Sequence, residues 1–271
     1  IVDAGAVDTG DVDTELEEDS AAEPMQYQRP LRKEQKEAPP FPLDVLGAES
    51  QGMIGYVIAQ EMRNVMPERQ IATLITQTQV DPADPAFGAP SKPIGPVYSE
   101  AEAQALAEER GWQVAADGDY FRRVVPSPQP MDILEFQTIR LLASEGALVI
   151  CAGGGGVPVI VGAKGRTLGV EAVIDKDLAA SLLATKLEAD RLIILTDVDA
   201  VYEDWGMVSA RKIVETNPAQ LRAMPFAKGS MGPKVDAVCR FVEETGRPAA
   251  IGSLKEAASV ADGTAGTQIL P

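Results

Sequence analysis

From Met131 onward, short fully apolar runs alternate with amphipathic ones, and this alternation limits the folds open to the chain. The spacing predicts a helix over 133–144, a buried strand over 147–151 and a second strand over 157–161. A helix over 175–187, a strand over 191–195, a helix over 235–244 and a short strand over 249–251 follow. Strands apolar on both faces, separated by helices, belong to a mostly parallel sheet covered on either side. The expected class is α/β.

Upstream, the pattern predicts a helix over 44–66 and a strand over 71–80. A loop, Asp81-Pro82-Ala83-Asp84-Pro85, then opens a section of different character. It holds a polar helix over 100–110 and a hairpin over 112–125 that turns at Asp117-Gly118-Asp119, and prolines 126, 128 and 130 close it. Residues 81–130 are thus expected to form a small inserted subdomain. Residues 1–23 carry nine acids and no Lys or Arg, and 24–42 are rich in Pro, Gln and charge. Residues 1–38 are read as a weakly structured acidic segment with one candidate strand at 1–12. A chain opening on Ile1 is expected to be processed or truncated.

Composition narrows the chemistry. A net charge of −17 disfavours duplex nucleic acid and anionic membranes as partners. No apolar run reaches 18 residues, and no signal peptide is read. The two cysteines, Cys151 and Cys239, lie in apolar surroundings and read as buried thiols of a reducing compartment. There is no histidine, which removes Ser-His and Cys-His catalysis and histidine metal sites together. No protein metal site is expected. Chemistry must run on Lys, Asp, Glu, Arg, Ser or backbone groups, with Mg²⁺ arriving on a nucleotide.

Four segments fit that requirement. Gly153, Gly154, Gly155 and Gly156 follow a buried strand and can expose N–H groups to a phosphate; a flexible turn is the plainer reading. In Val173-Ile174-Asp175-Lys176-Asp177, Asp175 is a natural N-cap. Lys176 then falls in the first helical turn, where the dipole disfavours it, so either it serves a ligand with Asp177 orienting it, or the two form a surface ion pair. Thr196-Asp197-Val198-Asp199-Ala200-Val201-Tyr202 puts two acids directly after a buried strand, where they position a nucleotide or merely cap a turn. Gly229-Ser230-Met231-Gly232-Pro233-Lys234 sets a lysine at a helix start behind a glycine-rich turn, either to meet an anion or as a solvated lysine in an ordinary loop. Pro90-Ser91-Lys92-Pro93-Ile94-Gly95-Pro96, in the inserted subdomain, presents a further lysine rigidly between prolines; taken alone, a structural role is the plainer reading. Three placed lysines and a glycine loop point to phosphoryl transfer, which needs positioning and charge neutralisation more than covalent chemistry.

The run from Phe41 to Tyr56 resembles carbamate kinase, of the amino acid kinase superfamily. So do Lys92 to Tyr98, Arg122 to Val125, Gly153 to Val159, Ala172 to Ala180, Thr196 to Tyr202 with Trp205, and Gly229 to Lys234. The resemblance implies an open αβα sandwich over 39–271 with a protruding subdomain at about 81–130. It also implies a cytoplasmic homodimer that moves a phosphoryl group reversibly between ATP and carbamate, giving ADP and carbamoyl phosphate, with Mg²⁺. Lys176 and Lys234 resemble the lysines that neutralise the transferring group, Asp177 their organiser, and Lys92 the lysine delivered by the subdomain. Thr196, Asp197, Asp199, Tyr202, Gly229, Ser230 and Met231 resemble the nucleotide-binding edge. The family's opening strand with a Gly-Gly-Asn-Ala loop, and its Asn-Gly-Pro-Gln-Val-Gly loop, do not occur here. The alternative class is a nucleotide-binding or oligomerising relic lacking those substrate loops. A superfamily kinase with another acceptor is a third, disfavoured by the Lys92 segment.

Overall fold

A computed structural model describes residues 41–227 and 229–271. The acidic segment assigned to 1–38 lies outside them. Helix α1 (Leu43–Val65) leads to β1 (Ile71–Thr73) and β2 (Gln77–Gln79). Then come β3 (Lys92–Tyr98), α2 (Glu100–Arg110), β4 (Gln113–Asp117), β5 (Tyr120–Val125), β6 (Asp132–Ile133) and α3 (Phe136–Ser144). The next elements are β7 (Leu148–Ile150), β8 (Val157–Val161), β9 (Thr167–Gly169), α4 (Lys176–Lys186) and β10 (Leu192–Thr196). The chain closes through β11 (Val201–Glu203), β12 (Arg211–Ile213), β13 (Glu215–Thr216), α5 (Pro218–Arg222), α6 (Met231–Thr245), β14 (Ala249–Ser253), α7 (Ala257–Ala261) and β15 (Thr267–Ile269).

Among the described residues the strands form five sheets, and three of these contain parallel pairs. β1 runs parallel to β7, β2 to β8, β10 to β14 and β13 to β15. Antiparallel strands extend these pieces: β6 and β9 flank β2 and β8, and β15 also pairs with β14. The fold is α/β, as the sequence indicates. Five consecutive residues of β14, Ala249 to Ser253, are buried, because the strand has a neighbour on each side and helices across its faces. Helix α6 covers it with Val235, Val238, Phe241 and Val242, which recur at helical spacing and pack with Ile194, Ile251 and Ile269. Phe241 is fully buried, so its truncation would cost roughly 3–5 kcal/mol.

The apolar run 71–80 is two strands and not one. The break spans residues 74–76, where the side chain of Gln51 on α1 engages the Thr76 backbone. The Thr76 N–H donates to Gln51 Oε1 at 3.1 Å, and Gln51 Nε2 donates to the Thr76 carbonyl at 3.2 Å. The partner strand opens at the same level. The ladder between 70–80 and 148–161 is therefore interrupted between Ile150 and Val157, where the glycine turn leaves the sheet. The helix expected over 133–144 starts only at Phe136, because Asp132 and Ile133 pair with β2. The sequence reading left 201–216 without strands, and the structure has three there.

β3, β5 and β4 form a separate antiparallel sheet. Helix α2 is closed by a capping box in which Ser99 accepts from the Glu102 N–H and Glu102 accepts from the Ser99 N–H. Trp112 lies between two guanidinium groups, Arg110 at 5.0 Å and Arg123 at 4.8 Å from its ring centre, which fastens the end of α2 to this sheet. Arg123 also pairs with Glu171 at 3.5 Å, and the Val173 N–H donates to the Pro126 carbonyl at 3.0 Å. The small sheet is thereby stitched to the segment entering α4.

Candidate active site

The N-terminal turns of α4 and α6 meet. Asp175 caps α4, its Oδ1 accepting the N–H groups of Asp177 at 3.0 Å and Leu178 at 3.3 Å. Lys234, in the first turn of α6, donates to Asp177 Oδ2 at 3.0 Å, and both side chains are nearly buried. Ser181 Oγ donates to the Ala237 carbonyl at 2.8 Å and holds the two helices in this register. From the other side, Lys92 of β3 donates to Asp175 Oδ2 at 2.7 Å. Two carboxylates two residues apart at the start of α4 therefore hold two lysines from distant parts of the chain. Lys176 is the first residue of α4 and is half-buried.

The two carboxylates respond differently. Burial pushes the Asp177 carboxyl above the usual aspartate range, more than Lys234 pulls it down, and the Asp175 charge adds to the rise. Asp175 is also opposed by burial, but its hydrogen bond and ion pair with Lys92, together with the two α4 N–H groups, hold it below that range.

The glycine turn divides into two halves. Gly155 and Gly156 have φ of +100° and +88° and are buried. A Cβ on Gly155 would lie 2.5 Å from the Ile174 carbonyl oxygen, and one on Gly156 would lie 2.2 Å from Thr78 Oγ1. Their N–H groups donate to Ala152 and Gly153 within the turn. Gly155 serves packing against the α4 entry and Gly156 packing against Thr76 and Thr78. Gly153 and Gly154 are exposed, so any anion donated to by this turn meets them first. Thr76 and Thr78 brace the turn, Thr76 Oγ1 accepting the Ala152 N–H at 2.9 Å and Thr78 Oγ1 donating to the Gly155 carbonyl at 2.8 Å. Gln51, Thr76 and Thr78 carry no sequence signal for this role, since their partners are distant in the chain.

Beyond β10, Thr196 Oγ1 donates to Asp197 Oδ1 at 2.9 Å. That bond keeps the exposed Asp197 carboxyl low, with a smaller contribution from the Lys234 charge. Asp199 sits in a different group. It accepts from Tyr202 Oη at 3.0 Å and from Lys212 Nζ at 3.0 Å, and Lys212 is a residue the sequence did not single out. Tyr202 meets Trp205 edge-on at 5.2 Å. Gly229 and Ser230 are exposed in the turn before α6, where the Ser230 and Gly232 N–H groups both donate to the Ala227 carbonyl, and Met231 packs partly against the core.

The amino acid kinase family profile matches residues 52–253. The chain belongs to the amino acid kinase family. The carbamate kinase of Haemophilus influenzae is 51% identical over 234 residues, 86% of this chain and 76% of that protein. The carbamate kinase of Escherichia coli K12 is 52% identical over 234 residues, 86% of this chain and 77% of that protein. Among solved structures, the carbamate kinase of Giardia lamblia bound to AMP-PNP superposes with a TM-score of 0.78 at 42% identity, covering 87% of this chain and 78% of that one. The chain thus spans about three quarters of the length of these relatives. The matched region, residues 52–253, includes all four segments built up above, from the glycine turn to α6.

Proposed function

We propose that the chain is a carbamate kinase, a phosphotransferase that moves a phosphoryl group reversibly between ATP and carbamate, giving ADP and carbamoyl phosphate. The observation that carries the reading is the meeting of Lys92, Asp175, Asp177 and Lys234 at one helical turn, in a chain half identical to carbamate kinases. Phosphoryl transfer spreads negative charge over equatorial oxygens, and a catalyst gains most by fixed positive charge and alignment. Lys176 and Lys234, beside two helix N-termini, are assigned to neutralise that charge, with Lys92 approaching from the small sheet. Asp177 organises the lysines. Gly153 and Gly154 are assigned to the transferred group, while Gly155 and Gly156 hold the turn in place.

Thr196, Asp197, Asp199, Tyr202, Gly229, Ser230 and Met231 are assigned to ATP or ADP. The AMP-PNP complex of the Giardia lamblia relative supports nucleotide use. Among the described residues, no group of three or more Asp, Glu, Cys or His side chains could hold a metal ion. A Mg²⁺ carried by nucleotide phosphates needs only one or two carboxylates, and the exposed, readily ionised Asp197 fits that demand. Bound there, Mg²⁺ would neutralise phosphate charge. Residues 81–130 are taken as the protruding subdomain, and the assembly as a homodimer. Both cysteines are buried thiols, in keeping with a cytoplasmic setting, and no described helix is long and apolar enough to cross a membrane.

The test is ATP formation from ADP, Mg²⁺ and carbamoyl phosphate by the full chain. Turnover that depends on carbamoyl phosphate is expected. A folded protein that binds ADP without forming ATP would refute the reading.

A further inference from the structure

We propose that Asp175 is a positioning residue for this reaction: its carboxylate holds Lys92 against the first turn of α4, so that the small sheet presents its lysine at the phosphoryl site. The inference rests on the carbamate kinase reading above. Asp175 divides its two oxygens between two tasks. Oδ1 caps α4 through the Asp177 and Leu178 N–H groups, and Oδ2 receives Lys92 Nζ. The same side chain thus fixes the helix that carries Lys176 and Asp177 and the lysine that comes from 83 residues upstream.

The surroundings make this bond a directed one. Three contacts join the small sheet to residues 171–175: Arg123 with Glu171, Val173 N–H with the Pro126 carbonyl, and Lys92 with Asp175. The first two set the approach of the sheet and lie away from the lysine pair. Only the third acts on a lysine of the site. The Asp175 side chain is 10% exposed and that of Lys92 36%, so the carboxylate is fixed while the lysine can still exchange partners with an arriving anion. A buried carboxylate paired with a less buried ammonium is an anchor for a group that must be near the substrate before it binds. Misplacing such a group by an ångström costs as much as about 100-fold in rate.

Asp175→Asn separates the two tasks, because asparagine caps helices as well as aspartate and lacks the charge that holds the ammonium. The full chain is assayed for ATP formation from ADP, Mg²⁺ and carbamoyl phosphate, alone and in the Lys92→Ala background. Expected is a fall of about 10- to 100-fold in kcat/KM for Asp175→Asn in a protein that stays folded, with only the modest loss of stability that follows from the missing Lys92 pair, and little further loss of rate when it is added to Lys92→Ala. Equal losses in both backgrounds, or no loss in either, would overturn the inference. The rate at which acetic anhydride labels Lys92, read by mass spectrometry against exposed Lys164, should rise severalfold in Asp175→Asn; an unchanged ratio also overturns it. A parent protein without turnover sinks the carbamate kinase reading instead, and the labelling ratio alone then decides where Lys92 is held.

Discussion

Lys234 Nζ lies 3.0 Å from Asp177 Oδ2, joining the first turns of α6 and α4 through an ion pair whose side chains are only 12% and 7% exposed. Removing one partner of a buried pair leaves the other uncompensated, at roughly 3–5 kcal/mol. Lys234→Ala should therefore lower stability by about 3 kcal/mol and phosphoryl transfer by more than about 100-fold. The double variant Lys234→Ala with Asp177→Asn should recover much of the stability and none of the rate. Urea unfolding beside the ATP-forming assay separates the two effects. A rate restored along with stability would take Lys234 out of the chemistry.

The glycine turn predicts a contrast within four neighbouring residues. Gly155→Ala would drive its Cβ to 2.5 Å from the Ile174 carbonyl oxygen at φ +100°, and a backbone atom cannot swing aside. Loss of more than about 3 kcal/mol is expected. Gly154→Ala, at φ +64° with nothing within 4 Å, should cost only about 1 kcal/mol, the ordinary penalty of a left-handed alanine. Urea midpoints of the two variants check this, and equal losses would contradict the packing role given to Gly155.

What the sequence made legible, and what it hid, follows from the range of the interactions. Helix α4 and its start were readable because Asp175 caps through groups two and three residues away. Helix α1 runs Leu43–Val65 against an expected 44–66, since its apolar spacing is local. The split of 71–80 was not readable, because Gln51 breaks the strand from 25 residues away. The four glycines look alike in sequence and differ only in what lies above them. Lys92 was singled out for its rigid setting, yet its partner Asp175 is visible only when the chain folds. Lys212 stands in β12, a short edge strand with exposed residues and no apolar signature, and so escaped notice.

Asp175 gives a pH prediction with a definite sign. Its folded carboxyl lies below the unfolded aspartate value of about 3.9, chiefly because Lys92 outweighs the cost of burial. A depressed carboxyl contributes stability that is present above the unfolded value and is lost as pH falls through the folded one. Asp175→Asn should thus be less stable than the parent at neutral pH, and the gap should close on acidification below about pH 4. Asp177 has the opposite sign, so its raised carboxyl costs stability as pH rises through its own titration. Unfolding free energies measured from pH 3 to 7 decide this, and a gap that does not change with pH would mean that the Asp175 charge contributes no stability.

Tyr202 and Trp205 meet edge-on just after the loop assigned to the nucleotide, and Trp205 is 67% exposed. An exposed indole beside a bound base changes its emission when the base arrives, and stacking on such a ring is worth about 1–3 kcal/mol. The chain has two tryptophans, and Trp112 is engaged by Arg110 and Arg123 on the small sheet. ADP should therefore quench the intrinsic fluorescence, and Trp205→Phe should abolish the quenching while unfolding at nearly the parent temperature, since so exposed a side chain packs little. Calorimetry on the same variant should show ADP binding weakened by about threefold to tenfold. Quenching that survives in Trp205→Phe would place the nucleotide away from the β11 end of the sheet.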